Sequence, residues 1–138
     1  MLLPHFVRFT SRNELSEVNS KFYRLARFPT VIEAIDCTLV RIKCPSKNLG
    51  PTLAGHFLNR KVYYSLNVQI VCDADCKILD IVARSRGSRL DARIWDNCHL
   101  KTRLLESKSE HNGVLVGDAG YPNSSILLTP VRNPSTAK

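Results

Sequence analysis

Three aspartates stand where a carboxylate is either costly or conspicuous: Asp36 inside the apolar run of residues 30–42, Asp91 in the first turn of a patterned helix, and Asp118 just past the apolar run 114–116. An acid flanked by Ile35 and Cys37, with Val31, Leu39 and Val40 nearby, loses its hydration unless a cation or hydrogen bonds replace it. Carboxylates that come from separate elements and meet at one point suit metal-assisted phosphodiester hydrolysis, in which two divalent ions are held roughly 3.5–4 Å apart. Each acid also has a plainer reading. Asp36 can lie on the solvated face of an edge strand, Asp91 can be placed by the helix dipole alone, and Asp118 can be a turn former in its Gly-Asp-Ala-Gly setting. Patterning by itself does not separate these three from Asp73, Asp75, Asp80 or Asp96.

The elements that must carry them can be read from hydrophobic spacing. Leu15, Val18, Phe22 and Leu25 recur at helical period after a capping-box sequence at Ser11 to Glu14, which predicts a helix over residues 12–27 that Pro29 stops. Residues 30–42 are rich in β-branched and apolar side chains and read as a largely buried strand. Pro45, Gly50, Pro51 and Gly55 make residues 44–58 a long loop. Over residues 62–72, Leu66, Val68, Ile70 and Cys72 alternate with Ser65, Asn67 and Gln69, and the turn Asp73-Ala-Asp75 returns the chain into a strand at 77–84, giving an antiparallel hairpin. Gly87-Ser88 ends that strand. Leu90, Ile94, Trp95, Cys98, Leu104 and Leu105 then follow helical spacing with Ser88 as N-cap and Trp95 as a core residue. Residues 114–116 fit a short strand covered on both faces, and residues 126–128 read as an apolar stretch within loop. The order of elements indicates an α/β domain: a mixed sheet with helices packed on it.

Composition narrows the partners. Twenty basic against twelve acidic side chains give a net charge of +8, which favours polyanions by long-range attraction. Arg84, Arg86, Arg89 and Arg93 surround Asp91 in sequence and fit a cationic rim for backbone phosphates, with Arg41, Lys43, Arg60 and Lys61 extending that surface. No apolar run is long enough to cross a bilayer and the first residues lack the pattern of a secretory leader, so an intracellular protein with no membrane contact is expected. The five cysteines are an odd number set mostly in apolar segments, as reduced thiols are. Cys72 and Cys76 with His56 or His99 lack the matching second pair of a structural zinc site. A phosphatase with Asp36 as nucleophile needs a second acid two residues on, where Thr38 stands.

Several short segments together resemble the Harbinger (PIF/Harbinger) transposases and the nucleases derived from them. They are Phe28-Pro29 through Ala34-Ile-Asp-Cys-Thr38, Arg41-Ile-Lys-Cys-Pro-Ser46, Asn59-Arg-Lys61, residues 64–74, Gly87-Ser88 with Asp91, Gly117-Asp118 with Gly120-Tyr121-Pro122, and Leu128-Thr-Pro130. The resemblance implies a DDE endonuclease domain of ribonuclease H-like fold over residues 30–138, preceded by a helical segment at 1–29. It implies that Asp36 is the first catalytic acid on the first strand, that Asp118 is the acid after the fourth strand, and that Asp91 binds metal, with Mg2+ or Mn2+ as cofactor. DNA is the implied substrate, a Myb/SANT-like DNA-binding protein the implied partner, and the nucleus, then the cytoplasm, the implied location. In that family a glutamate on a later helix completes the acidic set. Here Lys138 comes before it, and Glu106 and Glu110 precede Asp118. A chain truncated in this way is expected to hold two ions and activate water poorly. The alternative expectation is therefore an inactive, truncated or domesticated remnant that binds DNA or a protein.

Overall fold

β1 (Val31–Arg41) is the strand on which the rest of the sheet is built. The computed structural model describes residues 13–45, 50–106 and 113–131. Before β1 lies α1 (Leu15–Ala26). After it come α2 (Gly50–Gly55), β2 (Ser65–Cys72), β3 (Ile78–Arg86), α3 (Asp91–Asp96), α4 (His99–Glu106), β4 (Val114–Val116) and β5 (Leu127–Leu128). The sheet order is β3-β2-β1-β4-β5. β1, β2 and β3 form an antiparallel meander, whereas β4 joins β1, and β5 joins β4, in parallel. The carboxyl ends of β1, β4 and β5 therefore open at the same end of the sheet. This is the expected α/β architecture, a mixed five-stranded sheet with flanking helices, consistent with a ribonuclease H-like fold.

One face of the sheet carries the core. Ile35, Val71, Leu115 and Leu127 from the strands meet Trp95, Cys98, Leu100 and Leu104 from the α3–α4 pair, and Tyr121 and Ile126 close the lower edge. Trp95 has no exposed surface, as its helical stripe required. α1 lies against β1 and contributes no fully buried residue. Its Lys21 Nζ reaches Asp75 Oδ2 in the β2–β3 turn at 2.6 Å. All five cysteines are free thiols. No helix among the described residues is long and apolar enough to cross a membrane.

Several local expectations need correction. α1 starts at Leu15, with Glu14 at its N-cap and no side-chain cap, while Ser11 lies outside the described residues. Part of the long loop is helical after all, since residues 50–55 coil into α2. Ser88 does not cap the following helix: Leu90 occupies that position, and the Ser88 hydroxyl donates to the His56 carbonyl at 2.6 Å. The single helix expected from Leu90 is two, broken between Asp96 and His99, where Asn97 Nδ2 turns back to the Arg93 carbonyl at 2.7 Å. Residues 127–128 are not loop but a strand that pairs with β4. The polar row of β2 is also the buried one, with Ser65, Asn67 and Gln69 all shielded from solvent, because β2 has a strand on each side and helices above that face.

Gly87 ties these pieces together. Its N–H donates to the Ser65 carbonyl at 2.9 Å, and a Cβ placed on it would meet the Ser65 hydroxyl, the Ser65 carbonyl at 2.6 Å and the Phe57 carbonyl at 2.7 Å. Two of those three obstacles are backbone, which cannot rotate away. Gly87→Ala is therefore expected to cost about 1–3 kcal/mol of stability by overpacking, read as a lower denaturant midpoint with an unchanged slope. An unshifted midpoint would show that the turn relaxes freely.

Candidate active site

Asp91 and Asp118 approach each other from different elements across Gly120. Asp91 begins α3, where the helix dipole favours an acid, and it is half-buried. Asp118 follows β4 in a tight turn: its Oδ1 accepts the Gly120 N–H at 2.9 Å and its carbonyl accepts the Tyr121 N–H at 3.2 Å. A Cβ on Gly120 would sit 2.9 Å from Asp118 Oδ1 and 3.1 Å from Asp91 Oδ2, so the two carboxylates lie no more than about 6 Å apart. Only a residue without a side chain leaves that gap open.

Asp36 belongs to the adjacent strand. The last β1–β4 pair is Ala34 with Val116, so Asp36 lies two residues beyond the point where β4 stops, at the same sheet end as Asp118. Its Oδ1 turns along the strand to accept the Cys37 N–H at 2.7 Å. The carboxylate is exposed, so the desolvation argument that first marked Asp36 does not hold. β1 is central in the sheet, but this stretch has lost its neighbour on one side. Burial raises the Cys37 thiol to about 12, and the charges of Asp91 and Asp36 add to that rise. Among the described residues, no three His, Cys, Asp or Glu side chains gather closely enough to hold one ion together, and Cys72 and Cys76 form no such group with a histidine. The donor set is nonetheless hard carboxylate oxygen, the chemistry that suits Mg2+ or Mn2+, and Asp91 with Asp118 offer two such oxygens facing a common gap.

Beneath the acids is a supporting layer that the sequence did not single out. Asn67, 4% exposed on β2, donates Nδ2 to Asp91 Oδ1 at 2.8 Å and to the Arg89 carbonyl at 2.9 Å. Tyr121, buried in the core, brings its hydroxyl to 3.0 Å from Cys37 Sγ, and burial followed by that contact raises its hydroxyl well above the usual range. Further back, Asn59 Nδ2 donates to Ser65 Oγ at 2.8 Å, and its Oδ1 accepts the Lys61 N–H at 2.8 Å, which fixes the turn leading into β2. A strand with neighbours on both sides and a helix above it must hydrogen-bond any polar residue on the covered face. That rule was the available signal for Asn67.

The arginines divide into two groups. Arg84, Arg86 and Arg89 line one cleft of about 310 Å³ with Val82, Ser85, Ile94 and Asn97, between the end of β3 and α3. Arg86 Nη1 donates to His56 Nδ1 at 2.8 Å, which holds its guanidinium in place. Arg93, Arg60 and Lys61 are exposed and lie outside this cleft. Two of its lining residues, Arg89 and Ile94, flank Asp91 along the chain.

A family model described as DDE superfamily endonuclease matches residues 35–138, which is most of the sheet and both helices above it. The chain belongs to the DDE superfamily endonucleases. Its similarity to curated proteins agrees: it is 31% identical over 123 residues to "Putative nuclease HARBI1" of Rattus norvegicus, which covers 88% of this chain and 33% of that protein. It is 32% identical over 120 residues to the Xenopus laevis protein of the same name, covering 86% and 33%. It is 28% identical over 138 residues to "Protein ALP1-like" of Arabidopsis thaliana, covering 91% and 33%. The chain thus spans about a third of the length of these relatives. No solved structure matches it. Membership in this superfamily supports a nuclease-type function and bears out the resemblance to Harbinger-derived nucleases.

Proposed function

We propose that this chain is the core of a divalent-metal-dependent DNA endonuclease, with Asp36, Asp91 and Asp118 as metal ligands and Mg2+ or Mn2+ as cofactor. The observation that carries the reading is the approach of Asp91 and Asp118 across Gly120, with Asp36 on the neighbouring parallel strand two residues past its last pair with β4. A divalent cation bound there would supply neutralising charge and lower the cost of forming a hydroxide nucleophile near neutral pH. The protein's own part is positional. Asp118 is fixed by its turn to Gly120, Asp91 by the start of α3 and by Asn67, and Asp36 by the Cys37 amide. Hydrolysis joins a water oxygen to phosphorus as the bond to the 3′ oxygen breaks. Arg84, Arg86 and Arg89 in their cleft would hold phosphates flanking the cut bond, and Arg93, Arg60 and Lys61 would extend the track. The nucleus is the proposed location, and a Myb/SANT-like protein the proposed source of target recognition.

The test is nicking of supercoiled plasmid in Mg2+ or Mn2+. With the chain joined to the later glutamate-bearing helix that the resemblance implies, nicked circles should form with metal and not with chelator, and Asp36→Asn should abolish them. Tight DNA binding with no nicking in either metal would favour the binding-module alternative. For the cleft, replacing Arg84, Arg86 and Arg89 together with alanine should weaken DNA binding without regard to sequence. The slope of log Kd against log salt should then fall by roughly three units, at about 0.9 per phosphate contact, measured by fluorescence anisotropy. An unchanged slope would place the phosphates elsewhere.

A further inference from the structure

Asn67 makes a bond whose consequence for Asp91 extends the metal-binding reading above, on which this inference rests. Its side chain is 4% exposed. Both Nδ2 hydrogens are committed, one to Asp91 Oδ1 at 2.8 Å and one to the Arg89 carbonyl at 2.9 Å. Turning the amide over would set its oxygen against two acceptors, so the orientation is fixed by chemistry. The Oδ1 atom left behind is buried and has no hydrogen-bond partner. An unpaired buried oxygen is a cost to folding, set against the two hydrogen bonds that the amide donates. The amide thus leaves its own oxygen unpaired while both donors are directed, one at the backbone before α3 and one at the carboxylate of Asp91.

What it does is divide Asp91's two oxygens. Oδ1 is occupied by Asn67, while Oδ2 faces the Gly120 gap and Asp118. A carboxylate pinned by one oxygen cannot rotate to grip a cation with both. We propose that Asn67 is a positioning residue that sets Asp91 as a one-oxygen ligand, aimed at a divalent cation shared with Asp118. The Arg89 contact adds a second constraint, because the amide holds the backbone two residues ahead of Asp91 and so fixes where α3 begins.

The experiment is titration of the chain with Tb3+, an oxygen-seeking stand-in for the divalent ion, read by luminescence sensitised through Trp95, the one tryptophan, a helical turn beyond Asp91. Wild type should give saturable luminescence that Mg2+ or Mn2+ competes away. Asn67→Leu should remain folded with a lower melting temperature, because the Arg89 carbonyl loses its donor, and should shift half-saturation to about tenfold higher Tb3+. Nicking by that variant should recover in part when Mg2+ is raised tenfold, which a simple loss of fold would not do. In an Asp91→Asn background, adding Asn67→Leu should change Tb3+ affinity no further. If Asn67→Leu fails to fold, Asn67→Ser carries the same expectations. A folded variant with wild-type Tb3+ affinity, or full additivity with Asp91→Asn, overturns the role of Asn67 and leaves the nuclease reading standing. Wild type that binds neither Tb3+ nor Mn2+ overturns both.

Discussion

Asp118→Asn is expected to reduce metal-dependent nicking by at least about a hundredfold, a loss comparable to removing one preorganised charge-stabilising group from a nuclease or protease site. The same change should leave the chain as stable as before, or slightly more so, when measured in chelator. Asp91 and Asp118 are like charges within about 6 Å, and the asparagine removes that repulsion while its carbonyl oxygen can still accept the Gly120 N–H. The sign reverses when metal is present. Wild type should gain thermal stability on adding Mg2+ or Mn2+, because a ligand that binds only the folded state shifts the equilibrium toward it, and Asp118→Asn should lose most of that gain. Melting curves with and without metal, run beside the plasmid assay, separate a damaged site from a damaged fold. Wild-type nicking by Asp118→Asn would remove Asp118 from the chemistry.

Trp95→Ala is expected to be the most destabilising single change, at about 3–5 kcal/mol, which is a large share of the margin that holds a small domain folded. Trp95 has no exposed surface and stands at the centre of the cluster formed with Ile35, Val71, Leu100, Leu104 and Leu115. α3 is only six residues long, too short to persist without tertiary anchoring. Removing its anchor therefore loosens the element that begins with Asp91. Equilibrium unfolding in urea should show a much lower midpoint, and Trp95→Phe should restore a good part of it by refilling the space. A loss under about 1 kcal/mol would mean that α3 is held by other contacts.

What could be read in the sequence, and what could not, follows from the range of the forces involved. The strands β1 to β3, the hairpin at Asp73-Ala-Asp75 and the burial of Trp95 depend on periodicity, which is local. The pairing of β4 with β1 depends on tertiary contact; a crossover to a neighbouring buried strand was a reasonable topology from the order of elements, and the choice of Asp36 and Asp118 among the acids came with the family resemblance. Asp36 was marked for the wrong reason, since a run of apolar neighbours says nothing about where the adjoining strand ends. Asn67 was passed over because alternation with Val68 and Ile70 makes a polar row look like a solvated one, when the covering helices invert that reading. β5 is two residues long and α2 carries two glycines and a proline, so neither leaves a periodic trace. Gly120 stood in the sequence only as part of a turn segment, whereas its importance is steric: a gap between two carboxylates is invisible until both are placed.

The parallel pairing of β1 with β4 also sets an order of events. The meander β1–β2–β3 joins neighbours in sequence and can form early, whereas Ala34 and Val116 stand roughly eighty residues apart and pair only when a long crossover closes. A nascent chain emerging from the ribosome would therefore hold a hairpin well before it held the β1–β4 pair. The acidic end of the sheet is then last to assemble and among the first regions to open, and amide exchange at Leu115 and Gly117 should run ahead of exchange at Val68 and Ile70.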